Sequence, residues 1–228
     1  MSTAPARLVL PARCSAILFD LDGTISESGA IIVATLRATL AEMGLPGIGP
    51  DAARRVVGPP LGLTLAEVVG VPTDRIPAVI RRYRELLRPA LADTPAYPGM
   101  IALVRDLHAA GLPLAVATSK VTTAAVPVIE AHGLSACFAA VCGSPPDEVT
   151  GTKAAVVGAA LARLGELGYD VSRAVMVGDR HHDIEGAAAH GIPTIAVTWG
   201  YGEPAEWAEA ASTVATPAEL RALLLSTP

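Results

Sequence analysis

Asp20-Leu21-Asp22-Gly23-Thr24 follows directly on the apolar run Ala16-Ile17-Leu18-Phe19, and the reading of that junction decides the fold. Four consecutive apolar residues ahead of a turn signal predict a short, buried strand. A buried strand that runs into two carboxylates is costly unless the charges are used, because an unpaired buried carboxylate is strongly disfavoured. Asp20 and Asp22 would share a face in extended chain, but Gly23-Thr24 signals that the backbone is already leaving the strand. Gly23 permits a tight turn and the close approach of a ligand to the main chain. The plain alternative is a strand ending in a polar turn, and two aspartates alone do not separate these readings.

Beyond the motif, Ile31-Ile32, Leu36, Leu40 and Met43 recur at helical spacing and Gly44 is a stop signal. The stretch 50–72 is broken by Gly58-Pro59-Pro60 into two short helical pieces, the first holding Asp51, Arg54 and Arg55. A third helix is predicted over 76–87, with Arg81, Arg82 and Arg84 on its wetter faces. Pro95, Pro98 and Gly99 then punctuate the chain, as at a return crossing between two bodies.

From Ile101 onward helices and strands alternate. Helices are predicted over 101–110, 121–132, 153–164 and 184–190, the last capped by Asp183, and strands over 114–117, 139–142, 174–177 and 194–197. Two further helices, 204–210 and 217–225, close the chain. Alternating units with short apolar strands predict a parallel α/β sheet, Rossmann-like, with helices on both faces. In such sheets ligands sit at the carboxyl ends of the strands. Asp20, Thr118 and Asp179 each follow an apolar strand run, so the pattern itself points to one composite site.

The 228 residues suffice for one good core plus a small satellite. The expected division is a core domain of residues 1–25 and 94–228 and an inserted α-helical cap domain of residues 26–93. No apolar run approaches the roughly 18 residues of a membrane span, and Pro11 stops Leu8-Val9-Leu10, a poor signal peptide. A net charge of −5 argues against a nucleic acid polymer as partner. Cys14, Cys137 and Cys142 form no even framework and no C-x-x-C, which suits reduced thiols in a cytoplasmic protein.

Four motifs in order, each on the matching element, resemble the haloacid dehalogenase superfamily: Asp20-Leu21-Asp22-Gly23-Thr24, Thr118 ending a strand, Lys153 opening a helix, and Gly178-Asp179-Arg180-His181-His182-Asp183. The resemblance implies a Mg²⁺-dependent phosphatase that hydrolyses a small phosphate monoester through an aspartyl-phosphate. Asp20 would be the nucleophile and Asp22 the general acid and base. Thr118, Ser119, Lys153 and the Gly23 main chain would bind the phosphoryl group. Asp20, the Asp22 carbonyl and Asp179 would hold the metal, with Asp183 behind them. The other reading of Asp183 is a helix cap, and that of Lys153 a solvated helix residue.

Gly58-Pro59-Pro60-Leu61, Thr118-Ser119-Lys120 and Trp199-Gly200-Tyr201-Gly202 are similar to phosphoglycolate phosphatases and 5′-nucleotidase-like phosphatases. In such relatives the Gly58-Pro59 loop faces the site; Arg54, one helical turn earlier, would point toward the same space and help select the substrate, its other reading being a solvated surface arginine like Arg55. Ile25-Ser26-Glu27-Ser28 departs from the usual sequence after the first motif and weakens the substrate assignment. The partner expected is a small phosphorylated metabolite, and the chain a monomer or homodimer. A sugar phosphomutase of the β-phosphoglucomutase type and a receiver-like phosphoacceptor domain are the competing readings. His181 and His182 are adjacent, and their rings are expected to point apart; Trp199 and Tyr201 are expected to pack in their loop.

Overall fold

The computed structural model describes residues 8–50, 54–146 and 151–225. Six strands among them form one parallel sheet: β1 (Ala16–Phe19), β2 (Leu114–Val121), β3 (Ala140–Ser144), β4 (Ala174–Gly178), β5 (Thr194–Val197) and β6 (Ser212–Val214). Their order is β3-β2-β1-β4-β5-β6. The chain therefore winds outward from β1 through β2 to β3, crosses to the other side of β1 as β4, and winds outward again. β1 pairs with β2 and β4 in parallel register, Phe19 opposite Val116 and Val177. That reversal leaves a crevice at the carboxyl ends of β1 and β4, where a parallel sheet binds its ligands.

The strands alternate between two covered faces, as their even and odd residues require. Ile17, Phe19, Val116, Val175 and Val177 face one core. It is shared with α4 (Met100–Ala109), α5 (Thr122–Ala131) and α8 (Pro217–Leu225) through Leu107, Ile129 and Leu220. Leu18, Ala115, Ala117 and Met176 face the second, where Val157, Ala160 and Leu164 of α6 (Lys153–Glu166) and Ala187 of α7 (His181–Ala188) pack. The many alanines on this side let helix and sheet backbones approach closely.

Between β1 and α4 the regular elements among the described residues are all helical. α1 (Gly29–Glu42) packs on α3 (Ile76–Leu87), with α2 (Leu61–Leu63) continuing as a π-helical turn, Thr64–Val69. Leu36, Leu40, Leu65, Val79 and Leu87 form its interior. Of the first helical piece expected here, the described residues include a 3₁₀ turn, Arg54–Val56, and Asp51 lies outside them. The segments entering and leaving this insertion run side by side, Glu27 N donating to Pro95 O at 2.8 Å and Tyr97 N to Ile25 O at 2.9 Å.

Several boundaries differ from the sequence reading. β2 runs on to Val121, because a register shift between Thr118 and Val121 lets Val121 still pair with Ser144. α7 starts at His181, not Ile184, since the Asp183 carboxylate accepts the Arg180 amide at 3.0 Å and so closes the first turn. The expected helix 204–210 shrinks to a 3₁₀ turn, Pro204–Trp207, and β6 follows where no strand was expected. No helix among the described residues is long and apolar enough to cross a membrane. The three cysteines are unpaired.

Candidate active site

Each chemically interesting side chain is delivered by the end of a strand or the start of a helix. β1 ends at Phe19 and presents Asp20 and Asp22; β4 ends at Gly178 and presents Asp179; Thr118 sits in β2 where its register shifts. Lys153 is the first residue of α6, whose start is fixed by Thr152, its hydroxyl oxygen accepting the Ala155 amide at 3.1 Å. Asp20, Asp22, Thr118, Ser119, Lys153, Asp179 and Asp183 are all buried polar residues.

The two aspartates of the first motif face different partners. Asp20 Oδ1 is 2.7 Å from Lys153 Nζ, which also lies 2.6 Å from Asp183 Oδ1. Asp22 instead turns its Oδ2 to Lys120 Nζ at 3.1 Å, and its Oδ1 is buried with no hydrogen-bond partner. Gly23 follows at φ +92°, a conformation that favours glycine, where the chain turns out of the strand. A side-chain carbon at Gly23, or at Gly200 across the cleft, would fall on the Asp179 carboxylate. Asp179 is held in place by the Tyr201 amide, which donates to its Oδ2 at 2.6 Å. Trp199 Nε1 donates to Thr24 O at 3.1 Å and Trp207 Nε1 to Asp179 O at 2.8 Å, so the 199–207 segment braces both acidic loops.

The electrostatics show a cluster short of positive charge. Burial pushes the Asp20 carboxyl up to about 7, with Lys153 opposing it and Asp183 and Asp22 reinforcing it. Burial, then Asp183 and Asp20, pushes Asp179 well above the usual carboxylate range. Burial alone would lower the Lys153 ammonium, yet Asp183 and Asp20 hold it above an ordinary lysine. Lys153 thus pairs with two of three carboxylates, Asp20 and Asp183, and the oxygens of Asp20, Asp179 and Asp183 lie within 4.8 Å of one another. An all-oxygen donor set with surplus negative charge and glycines clearing space beside it fits a small hard dication such as Mg²⁺.

Beyond Asp22 a small chamber of about 50 Å³ separates the sheet from the inserted helices. Asp22, Ser119 and Lys120 lie on the sheet side, and Gly58, Pro59, Tyr83 and Arg84 on the helical side. The structure thus brings together Asp20, Asp22, Thr118, Ser119, Lys153, Asp179 and Asp183, and sets Gly58 and Pro59 across the chamber. Arg54 is elsewhere: exposed, 3.0 Å from Glu203, and lining a separate cavity of about 780 Å³ with Tyr97, Trp199 and Tyr201. The expectation that the His181 and His182 rings diverge is corrected. Their centroids lie 3.8 Å apart with the planes tilted by 43°, and His181 Nδ1 is 2.6 Å from Glu206 Oε2. Burial, with His181 and Arg180 adding to it, pushes His182 down to about 4.

Lys120, Tyr201 and Arg180 make contacts around the site that the sequence reading did not assign to them. Lys120 had a signal, being with Lys153 one of only two lysines in the chain. Tyr201 contributes through its main chain, for which a residue type gives no sign. Arg180 follows a motif aspartate and has contacts that come from distant segments.

The family model for haloacid dehalogenase-like hydrolases matches residues 17–197, and the chain belongs to that family. More particularly, the chain is 38% identical over 202 residues to the tyrosine-protein kinase PtkA of Mycobacterium tuberculosis, covering 89% of this chain and 68% of that protein. It is 35% identical over 193 residues to a phosphoglycolate phosphatase of Caulobacter vibrioides, covering 82% of this chain and 80% of the relative. Among solved structures, a predicted phosphatase from Clostridium acetobutylicum superposes with a TM-score of 0.85 at 30% identity, covering 93% of this chain and 99% of that one.

Proposed function

We propose that the chain is a Mg²⁺-dependent phosphatase that hydrolyses a small phosphate monoester, of the phosphoglycolate or 5′-nucleotide type, through a phosphoaspartate on Asp20. The observation that carries this reading is the division of labour between the two aspartates. Asp20 stands in the acidic cluster beside Lys153, while Asp22 faces the chamber with one oxygen unpartnered. A nucleophile belongs where the phosphoryl group is neutralised, and a proton donor where the leaving group departs. Residues 26–93 are read as a cap that supplies the roof of that chamber, with Gly58 and Pro59 nearest the leaving group.

In the first half-reaction a carboxylate oxygen of Asp20 forms a bond to phosphorus as the ester P–O bond breaks. The proton of Asp22 passes to the departing alkoxide. In the second, Asp22 takes a proton from water, the water oxygen bonds to phosphorus, and the bond to Asp20 breaks to release phosphate. Thr118 keeps a hydroxyl proton to donate while its oxygen accepts the Lys120 amide at 3.2 Å, and Lys153 offsets charge on the equatorial oxygens. Mg²⁺, held by Asp20, Asp179 and the Asp22 carbonyl with Asp183 behind, would neutralise charge that otherwise repels an anionic nucleophile from a phosphate ester.

The likeness to PtkA favours one second reading, transfer of the phosphoryl group to a phenol in place of water. One experiment separates the two. Phosphate release is measured on phosphoglycolate, nucleoside 5′-monophosphates and sugar phosphates with Mg²⁺ and with chelator. In parallel, labelled ATP is offered with a tyrosine-containing polypeptide. Continuous, Mg²⁺-dependent phosphate release from a monoester is the expected result. Full activity in chelator would remove the metal from the scheme, and phosphotyrosine without phosphate release would replace the hydrolase by the kinase.

A further inference from the structure

Arg180 lies between two acidic residues of the metal-site loop, yet its guanidinium turns away from them. It is buried, at 8% exposure. Its Nη1 donates to Val57 O at 2.6 Å and lies 3.5 Å from Arg54 O, both in the helical insertion. Its Nε donates to Glu206 Oε2 at 2.9 Å, on the sheet side, and its own amide donates to Asp183 at 3.0 Å. Glu206 is fixed in turn, accepting the His181 amide at 3.1 Å and, through Oε1, the Glu203 amide at 3.2 Å. One side chain therefore spans the metal-site loop, a braced carboxylate and the strip of backbone that leads into Gly58-Pro59.

The insertion is shaped to receive it. Gly58 has φ +105°, and a Cβ there would stand 3.1 Å from Arg180 Cγ. A residue other than glycine would be strained and would press on the arginine stem. A planar, always-charged fork suits the task of joining a carbonyl and a carboxylate in fixed directions, which a lysine ammonium does less well. The exposed Arg54–Glu203 pair alongside adds little on its own, since both side chains are more than half exposed. The buried Arg180 contact is the one whose loss would leave a charge-assisted donor and a carbonyl without partners.

We propose that Arg180 is a positioning residue that latches the Gly58-Pro59 loop over the leaving-group chamber and ties its placement to the Asp179–Asp183 loop. The proposal rests on the phosphatase reading for its kinetic consequence. With the latch in place the chamber closes over the leaving group, and without it the phosphoryl site stays intact while the roof drifts.

The test uses Arg180→Met, which keeps the stem and removes the donors, with Arg180→Lys and Glu206→Gln as companions. For the best monoester substrate, kcat/KM is expected to fall about tenfold to a hundredfold in Arg180→Met, the effect of a buried hydrogen bond to a charged group. Hydrolysis of p-nitrophenyl phosphate, whose leaving group needs little help, should change less than about threefold, a split that simple misfolding would not give. Arg180→Lys and Glu206→Gln should fall between Arg180→Met and the native chain. Independently of activity, trypsin cleavage after Arg54 or Arg55, read by mass spectrometry on the folded protein, should accelerate in the same order. Equal losses on both esters, or unchanged cleavage in Arg180→Met, would overturn the latch. Should the native chain release no phosphate from any ester, the phosphatase reading fails by itself, and the cleavage rates decide the latch alone. If Arg180→Met does not fold, Glu206→Gln takes its place: the ester split with faster cleavage supports the latch, and equal losses or unchanged cleavage overturn it.

Discussion

At the scale of single residues, the site is an arrangement of charges that the fold tolerates only with help. Asp20 shares in that tension, for its carboxylate sits buried beside Asp183 and Asp22 with Lys153 as its nearest cation. Asp20→Asn is therefore expected to abolish turnover, since an amide is no nucleophile. In chelator at pH 8 it should nevertheless unfold at a higher temperature than the native chain, because one of several crowded negative charges is gone while a hydrogen bond from Lys153 survives. A lower unfolding temperature would show that the ion pair with Lys153 outweighs the repulsion. Asp22→Asn should slow turnover about 10²- to 10⁴-fold, the worth of general acid–base assistance, and rapid-quench kinetics should find both half-reactions slowed. The residues proposed to carry this chemistry were legible because carboxylates that follow buried strands are costly unless used. Lys120 was less so, because its importance comes from a β2 register shift that no local pattern announces. The approach of the His181 and His182 rings was not legible, since the carboxylate that His181 meets, Glu206, stands 25 residues on.

At the scale of elements, the buried strands β1, β2, β4 and β5 announced themselves as short apolar runs beside turn signals, and α6 as a periodic apolar stripe. β6 did not. Its three residues, Ser212–Val214, include two hydroxyls at the edge of the sheet, where half of each residue faces water and no alternation can develop in so short a run. The 204–210 segment has a helical start, with Pro204 and with Glu206 closing a capping box on Glu203, but is drawn aside after Trp207 by the indole bond to Asp179 O. Element ends matter here because they aim side chains. Thr152 caps α6 and so fixes where Lys153 leaves the helix. Thr152→Ala should lower the unfolding free energy by about 1 kcal/mol, the usual worth of an N-cap. It should also reduce kcat severalfold, since the first turn of α6 carries the only cation touching Asp20 among the described residues. Chemical denaturation and steady-state kinetics check the two halves, and a stability loss with kcat unchanged would free Lys153 from dependence on the cap.

At the scale of the whole molecule, the two connections between the sheet and the insertion converge on Ser26. It is fully buried, bridges to Asp22 and to Ala96, and lies 3.0 Å from His132 Nε2 at the end of α5. The junction from which the cap would move is thus anchored to the sheet domain by a buried imidazole. Burial lowers the His132 pKa below its ordinary value near 6.5. Below about pH 6.5 the unfolded chain binds a proton at this histidine before the folded chain does, so the stabilising contribution present at higher pH is lost as the pH falls toward the lowered folded value. Measured with saturating Mg²⁺ to hold the acidic cluster constant, unfolding free energy should decline between pH 7 and 5.5 in the native chain. The decline should be shallower in His132→Gln, whose amide can still bond Ser26 but does not titrate. Parallel curves for the two proteins would show that His132 is charged equally in the folded and unfolded states, and the junction would then owe nothing to its neutrality.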